Sequence, residues 1–242
     1  MGRPVTELGV PFAPLDHGPP APTLIQSVMT VQEAFEGYLT AVRSGDRRAA
    51  FDIIEQTRAA GLDLRTMYLQ VFQPTLREIG RLWQENLLTV AEEHLATAIT
   101  QSAMLRVFGT LDLPELAGPL LIAACAETER HEIGLRMLCD FMDVEGWETV
   151  FLGASVPAED LVRMVVDRQP DVVALSASIP PHLPQLRTTI TAIREAAGEK
   201  QPLILVGGRP LLDQPQLAET LGADLTARDA AEAATLLLER VS

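Results

Sequence analysis

The chain is poor in cysteine, in basic residues and in uninterrupted apolar sequence, and each shortage removes a class of protein. Two cysteines, Cys125 and Cys139, cannot staple a small secreted fold. Both sit in apolar patterns and read as reduced core residues of a cytoplasmic protein. Lysine and arginine number 19 against 33 acidic residues, a formal net charge of -14. Such a surface repels phosphate backbones, so direct nucleic-acid binding is not expected. No apolar run has the length needed to span a bilayer, and the N-terminus lacks the basic-then-apolar layout of a secretory signal. No internal repeat is visible. No Ser-His-Asp set, Walker-type loop or zinc-ligand spacing is present, which removes the commonest hydrolytic and nucleotide-cleaving designs.

What is present is enough apolar sequence for two modest cores: 47% of 242 residues are hydrophobic. Residues 1–24 are proline-rich, with Pro4, Pro11, Pro14, Pro19, Pro20 and Pro22, and read as a flexible tail. Residues 25–111 carry helical periodicity throughout. Val31, Phe35, Tyr38, Leu39 and Val42 share one face of a first helix ending near Ser44-Gly45. Asp46 caps a second helix, lined by Ala50, Ile53, Ile54 and Thr57, that stops at Gly61. Asp63 starts a third that runs to Trp83, and Pro74 inside it predicts a kink or a break. Asn86 suits the left-handed end of a helix, and Thr89 with Glu92 three residues on forms the reciprocal capping pattern of a fourth. Short connections between four helices predict an antiparallel bundle.

Residues 111–118, around Pro114, read as a linker, and the rhythm then changes. Within 118–242, apolar strands alternate with helices, beginning with the continuous run Pro119–Ala126. Further strands are predicted at 149–152, 171–176, 203–206 and 223–226. Helices are predicted at 133–145, 158–168, 183–197, 214–221 and 227–241. Strands buried on both faces and separated by helices imply a doubly wound, flavodoxin-like parallel sheet. Such sheets bind ligands beyond the carboxyl ends of their strands.

The predicted loop after the first strand reads Glu127-Thr-Glu-Arg-His-Glu-Ile-Gly134. A glutamate two residues before a histidine can accept one ring hydrogen, orient the imidazole and raise its basicity. Gly134 would let the following helix start close to something bulky. A solvated loop histidine is the plain alternative. The spacing Glu129-x-His131-x-x-Gly134 resembles the Asp-x-His-x-x-Gly signature of cobalamin (vitamin B12)-binding domains. In that family the histidine replaces the cofactor's own benzimidazole below the cobalt, the base-off, His-on mode. Ser176-Ala177-Ser178 resembles the family's Ser-x-Leu or Ser-x-Thr element beside the nucleotide tail. Val206-Gly207-Gly208 resembles its Gly-Gly element, where the tail needs backbone without side chains. Gly153, ending the second strand, is either a fourth lining position or a turn glycine. Glu129 stands where aspartate is usual, and Ser178 where an apolar residue or threonine is usual.

Upstream, Val90, Glu93 and His94 are spaced i, i+3 and i+4 and share a helical face, and Trp83 precedes them across a short turn. A capped polar pair beside a core tryptophan would explain these residues without any ligand. Trp83, nine intervening residues and Glu93-His94 resemble the Trp-x9-Glu-His motif of CarH-type adenosylcobalamin photoreceptors. The resemblance implies that Trp83 and Val90 shelter an adenosyl group and that Glu93 hydrogen-bonds it. It implies His131 as the lower cobalt ligand, and His94 as the upper ligand after light has broken the cobalt–carbon bond. That is a switch rather than a catalytic cycle, so the chain is not expected to be an enzyme. Members of that family carry a winged-helix DNA-binding domain ahead of the bundle, where this sequence has only its proline-rich tail. The expected output is therefore a light-dependent homo-oligomer or a partner regulator protein. Two other readings stand beside it: a corrinoid-carrying methyltransferase subunit, which needs an open upper face, and a non-sensing cobalamin-binding module. His182, in Pro180-Pro-His-Leu-Pro184, follows the Ser176 loop and reads as a solvated loop residue, with contact to the cofactor edge as the alternative.

Overall fold

The computed structural model describes residues 29–241; the proline-rich segment read at 1–24 lies outside the described residues. The helical half contains α1 (Val31–Arg43) and α2 (Arg47–Ala59), then α3 (Leu64–Met67), a π-helical turn (Tyr68–Phe72) and α4 (Gln73–Gln84), and finally α5 (Val90–Phe108). The helix starts follow the side-chain chemistry. Thr30 with Glu33 and Thr89 with Glu92 form complete capping boxes, and Asp46 and Asp63 cap α2 and α3. Asn86 takes φ 56, as its place between α4 and α5 requires. At Pro74 the helix does not break. The chain inserts a π-turn, marked by the Gln73 N–H bonding back to the Tyr68 carbonyl. Widening the helix there accommodates the missing proline donor and the bulk of its ring without ending the helix.

The second half alternates strand and helix: β1 (Leu120–Cys125), α6 (Ile133–Val144), β2 (Glu148–Gly153), α7 (Ala158–Arg168), β3 (Val172–Ser176), a 3-10 turn (Pro180–His182), α8 (Leu183–Ala196), β4 (Leu203–Gly207), α9 (Arg209–Asp213), α10 (Leu217–Leu221), β5 (Leu225–Thr226) and α11 (Ala230–Arg240). All four strand pairings are parallel, in the order β2-β1-β3-β4-β5. This is the flavodoxin-like order, whose direction reverses between β1 and β3 and leaves a crevice there. The helix expected at 214–221 is α10, which starts only at Leu217, and the short α9 before it, separated by Gln214, Pro215 and Gln216, was not expected.

Successive strand residues feed opposite cores, as the pleat demands. Ile122, Ala124, Val173, Leu175, Ile204 and Val206 face one side and pack against residues of α7, α8 and α10. Leu121, Ala123, Val172, Ala174 and Leu205 face the other, where α6, α11 and the bundle share one continuous core. A run of rings crosses that seam. Tyr38–Phe72, Tyr68–Phe72 and Tyr68–Phe141 centroids lie 5.1, 5.6 and 5.6 Å apart. The Tyr68 hydroxyl donates to Asp140 Oδ2 at 2.6 Å, and Arg136 Nε donates to Oδ1 at 2.9 Å. The bundle is thus set against the sheet's helical layer by packed aromatics and a satisfied buried carboxylate. No helix among the described residues is long and apolar enough to cross a membrane.

Candidate functional site

The strand register puts the three loop motifs side by side. Cys125 pairs with Ser176, and Ser176 with Gly207, so β1, β3 and β4 end level at one edge of the sheet. Above that edge lies a cavity of about 1430 Å3, closed from the other side by the bundle. Small-molecule pockets run to roughly 300–1,000 Å3, so this space suits a larger cofactor. Trp83, Val90, Glu93 and His94 line it from the bundle; His131, Gly134, Ser176, Ser178, Gly207 and Gly208 line it from the sheet edge.

Glu129 is fully buried and accepts five hydrogen bonds. Its Oε1 takes the Arg130 and His131 N–H groups at 2.8 and 2.9 Å and His131 Nδ1–H at 2.5 Å. Its Oε2 takes the Ser178 N–H at 2.6 Å and His182 Nδ1–H at 2.9 Å. Burial opposes the charge of Glu129, but the donors from His131, Ser178 and His182 outweigh it and hold the carboxyl well below the usual carboxylate range. The bond to Glu129 raises the pKa of His131 against the opposing effect of burial, and Glu93 of the bundle adds a smaller push in the same direction. With Nδ1 committed, Nε2 is the nitrogen His131 has left to offer, on a side chain 61% exposed. That tautomer and basicity are what a transition-metal ligand requires.

His94 repeats the device across the cavity. Its Nδ1–H donates to Glu93 Oε2 at 2.6 Å, while Thr97 Oγ1 donates to Glu93 Oε1 at 3.0 Å. Glu93 therefore orients His94, a task beyond the adenosyl contact expected of it. Trp83 is 41% exposed and Val90 53% exposed. Both border the cavity, so this exposed apolar surface faces ligand space.

The glycines divide into two kinds. At Gly208, φ is +117 and a Cβ would stand 2.0 Å from the Ala177 carbonyl oxygen, so only glycine lets the β3 and β4 loops touch. Gly134 and Gly207 meet nothing within 4 Å where a Cβ would be. Both border the cavity, so a side chain there would fill ligand space rather than protein. Gly153 does not line the cavity. With φ +78 it lies at the β1–β2 register shift, and a Cβ would fall 2.7 Å from Glu132 Oε2. Its role is to make room for Glu132, whose other oxygen accepts from Gln101 Nε2 of α5 at 2.8 Å. Glu129 likewise works from behind the cavity wall, through His131.

Three features were invisible in the sequence reading. His182 is not a solvated residue: its side chain is 16% exposed and bound to Glu129. The Gln101–Glu132 bond and the Tyr68–Asp140–Arg136 set tie the bundle to α6. Each joins residues at least 31 positions apart, except the one-turn Arg136–Asp140 pair, so spacing gave no sign of them. The two cysteines are buried, and burial pushes the Cys125 thiol up to about 12, which makes it inert.

The residues present suit a corrinoid: a broad cavity, an oriented imidazole with one free nitrogen, and, at Gly134 and Gly207, cavity wall left without side chains. Comparison with known proteins agrees. Residues 119–237 match the B12 binding domain, and residues 34–107 match a second B12 binding domain family. The chain is 30% identical over 186 residues to the HTH-type transcriptional repressor CarH of Myxococcus xanthus, covering 77% of this chain and 61% of that protein. It is 41% identical over 103 residues to the repressor CarA of the same organism, covering 43% and 34%. It therefore spans less than two thirds of either relative. The solved monomethylamine corrinoid protein of Methanosarcina barkeri superposes with a TM-score of 0.76 at 21% identity, over 87% of this chain and 99% of that one. With matches running from the first helix of the bundle into the last helix of the sheet domain, this chain belongs to the B12-binding domain family and binds cobalamin.

Proposed function

We propose that the chain is a light sensor that holds adenosylcobalamin between its halves, with His131 Nε2 as the lower cobalt ligand. The observation that carries this reading is the shared cavity: Trp83, Val90, Glu93 and His94 face it from one side and His131 from the other. When bound, adenosylcobalamin would supply a light-labile cobalt–carbon bond. Glu129 holds His131 in the required tautomer. Trp83 and Val90 cover the adenosyl group and exclude water from it; a flat indole does so at low entropic cost. Glu93 keeps His94 oriented as a second imidazole that would be available to the cobalt if the adenosyl group were lost. Loss of a packing partner from Trp83 then biases the bundle toward a new arrangement.

The output proposed is a change of assembly or of partner binding, because a net charge of -14 disfavours direct contact with nucleic acid. The test is direct. Adenosylcobalamin is added to the apoprotein in the dark, and absorption and sizing-column elution are recorded before and after green light. A lasting spectral conversion, absent in His94→Ala, and a shifted elution volume are expected. Identical dark and illuminated spectra and elution would remove the sensor reading and leave cobalamin binding intact.

The likeness to the monomethylamine corrinoid protein favours a second reading, a corrinoid carrier for a methyltransferase. A carrier needs its upper face open to a partner's active site, and here Trp83 and His94 border that face. Preference for a methyl over an adenosyl upper ligand, with no lasting light conversion, would favour the carrier.

A further inference from the structure

We infer that His182 is a positioning residue for the cobalt site: its bond to Glu129 Oε2 holds the carboxylate in the orientation that presents His131 Nε2 to the metal. This rests on the reading of His131 as the lower ligand.

The geometry separates local from remote donors. Oε1 of Glu129 is held by Arg130 and His131, its immediate neighbours in sequence. Those donors move with the loop and cannot anchor it to the sheet. Oε2 is held by Ser178 N–H and His182 Nδ1–H, 49 and 53 residues away on the far side of the β1–β3 crevice. A glutamate has one more torsion than an aspartate, so its carboxylate plane needs a second fixed point. Ser178 supplies one donor from the backbone; His182 is the side chain that supplies the other.

Placement of His182 is itself prepared. It closes the 3-10 turn Pro180–His182, with Pro184 just beyond, and its N–H bonds to the Ile179 carbonyl at 3.1 Å. Prolines on both sides remove backbone freedom, so the ring is delivered at small entropic cost. The bland role for this residue would be capping α8, yet its side chain makes no cap bond to that helix. The imidazole is spent on Glu129 instead. Because both rings draw on one carboxylate, His182 also sets how much of its charge His131 receives.

The test loads the wild-type chain, His182→Leu, His182→Asn and His131→Ala with adenosylcobalamin in the dark. Dissociation into excess apo-wild type, the spectral signature of axial nitrogen ligation and apoprotein melting are measured for each. His182→Leu should release the cofactor about tenfold faster and show less axial ligation, as loss of an outer ligand partner does. Its apoprotein melting temperature should fall by a few degrees, as loss of one donor to a buried carboxylate requires, without loss of the folding transition. His182→Asn, whose amide nitrogen can occupy the Nδ1 position, should recover much of the loss. Retention and spectrum of His182→Leu equal to wild type would overturn the inference, as would a defect that His182→Asn shares in full. His131→Ala separates the two readings. If it keeps the axial-nitrogen spectrum, the ligand assignment fails and the inference with it. If it loses that spectrum while His182→Leu does not, the inference alone fails.

Discussion

Tyr68→Phe removes one oxygen from the seam that sets the bundle over the sheet, with no change of shape to confuse the outcome. Tyr68 and Asp140 are 0% and 1% exposed, so water cannot replace the lost donor. Asp140 Oδ2 would be left with no other side-chain donor among the described residues, while Arg136 still serves Oδ1. A hydrogen bond to a charged group contributes about 1.5–3 kcal/mol, and an orphaned buried acceptor adds its desolvation, so a loss of about 2–3 kcal/mol is expected at neutral pH. At about 2–4 °C per kcal/mol for a chain of this size, the melting temperature should fall by roughly 4–12 °C. The pH dependence follows from the same carboxylate. Burial raises the Asp140 pKa, and the Tyr68 and Arg136 bonds partly offset it. A raised carboxylate binds more protons in the folded state, so stability falls as pH rises from its ordinary value through its folded value. Removing Tyr68 raises the folded value further and extends that window upward. Urea unfolding of apoprotein should therefore show a Tyr68→Phe penalty that is greatest near neutrality and shrinks on acidification to about 0.5–1.5 kcal/mol, as for a neutral hydrogen bond. A penalty under about 0.5 kcal/mol at pH 7, or one that grows as pH falls, would refute the account of the seam.

Gly208→Ala should destabilise the apoprotein by at least about 1–3 kcal/mol, because φ +117 and the Ala177 carbonyl both exclude a side chain. Gly134→Val should melt within about 0.5–1 kcal/mol of wild type, since its Cβ site is open, yet take up less cobalamin; thermal melts paired with cofactor titration distinguish the two. Glu129→Gln replaces an all-acceptor group by one that is half donor. It should cost about 1–3 kcal/mol for each donor left unpaired, measured by urea unfolding at pH 7. The depressed pKa of Glu129 stabilises the fold above the ordinary carboxylate value and ceases to do so as pH falls through the folded value. The difference between Glu129→Gln and wild type should accordingly narrow on acidification.

Much of the site was legible because its parts are local. Glu129 and His131 are two residues apart in one loop, Ser176-Ala177-Ser178 and Gly207-Gly208 each sit at the end of an apolar strand, and Glu93-His94 are adjacent on a helix. Spacing alone brings such residues onto one face. The caps at Asp46, Asp63 and Thr89 were legible for the same reason, since a cap is settled within four residues. Gly153 stayed open in the sequence because a glycine at a strand end serves a turn, a bulge or a ligand equally well. Pro74 announced an irregularity without its form: whether a helix kinks, breaks or widens depends on what packs against it, here Phe72 and Tyr68 in the aromatic run.

Sequence by itself settled the capped helices of the bundle, the alternation that makes a parallel sheet, and the loop carrying the imidazole, because these follow from periodicity and from contacts between near neighbours. Only the tertiary structure decided that strands β1, β3 and β4 end level, that the bundle closes over them, and that His182 and Ser178 reach Glu129 from across the crevice. Those outcomes depend on strand order and side-chain packing between segments far apart in the chain. No local pattern encodes them, since each residue's partner is chosen by the fold as a whole.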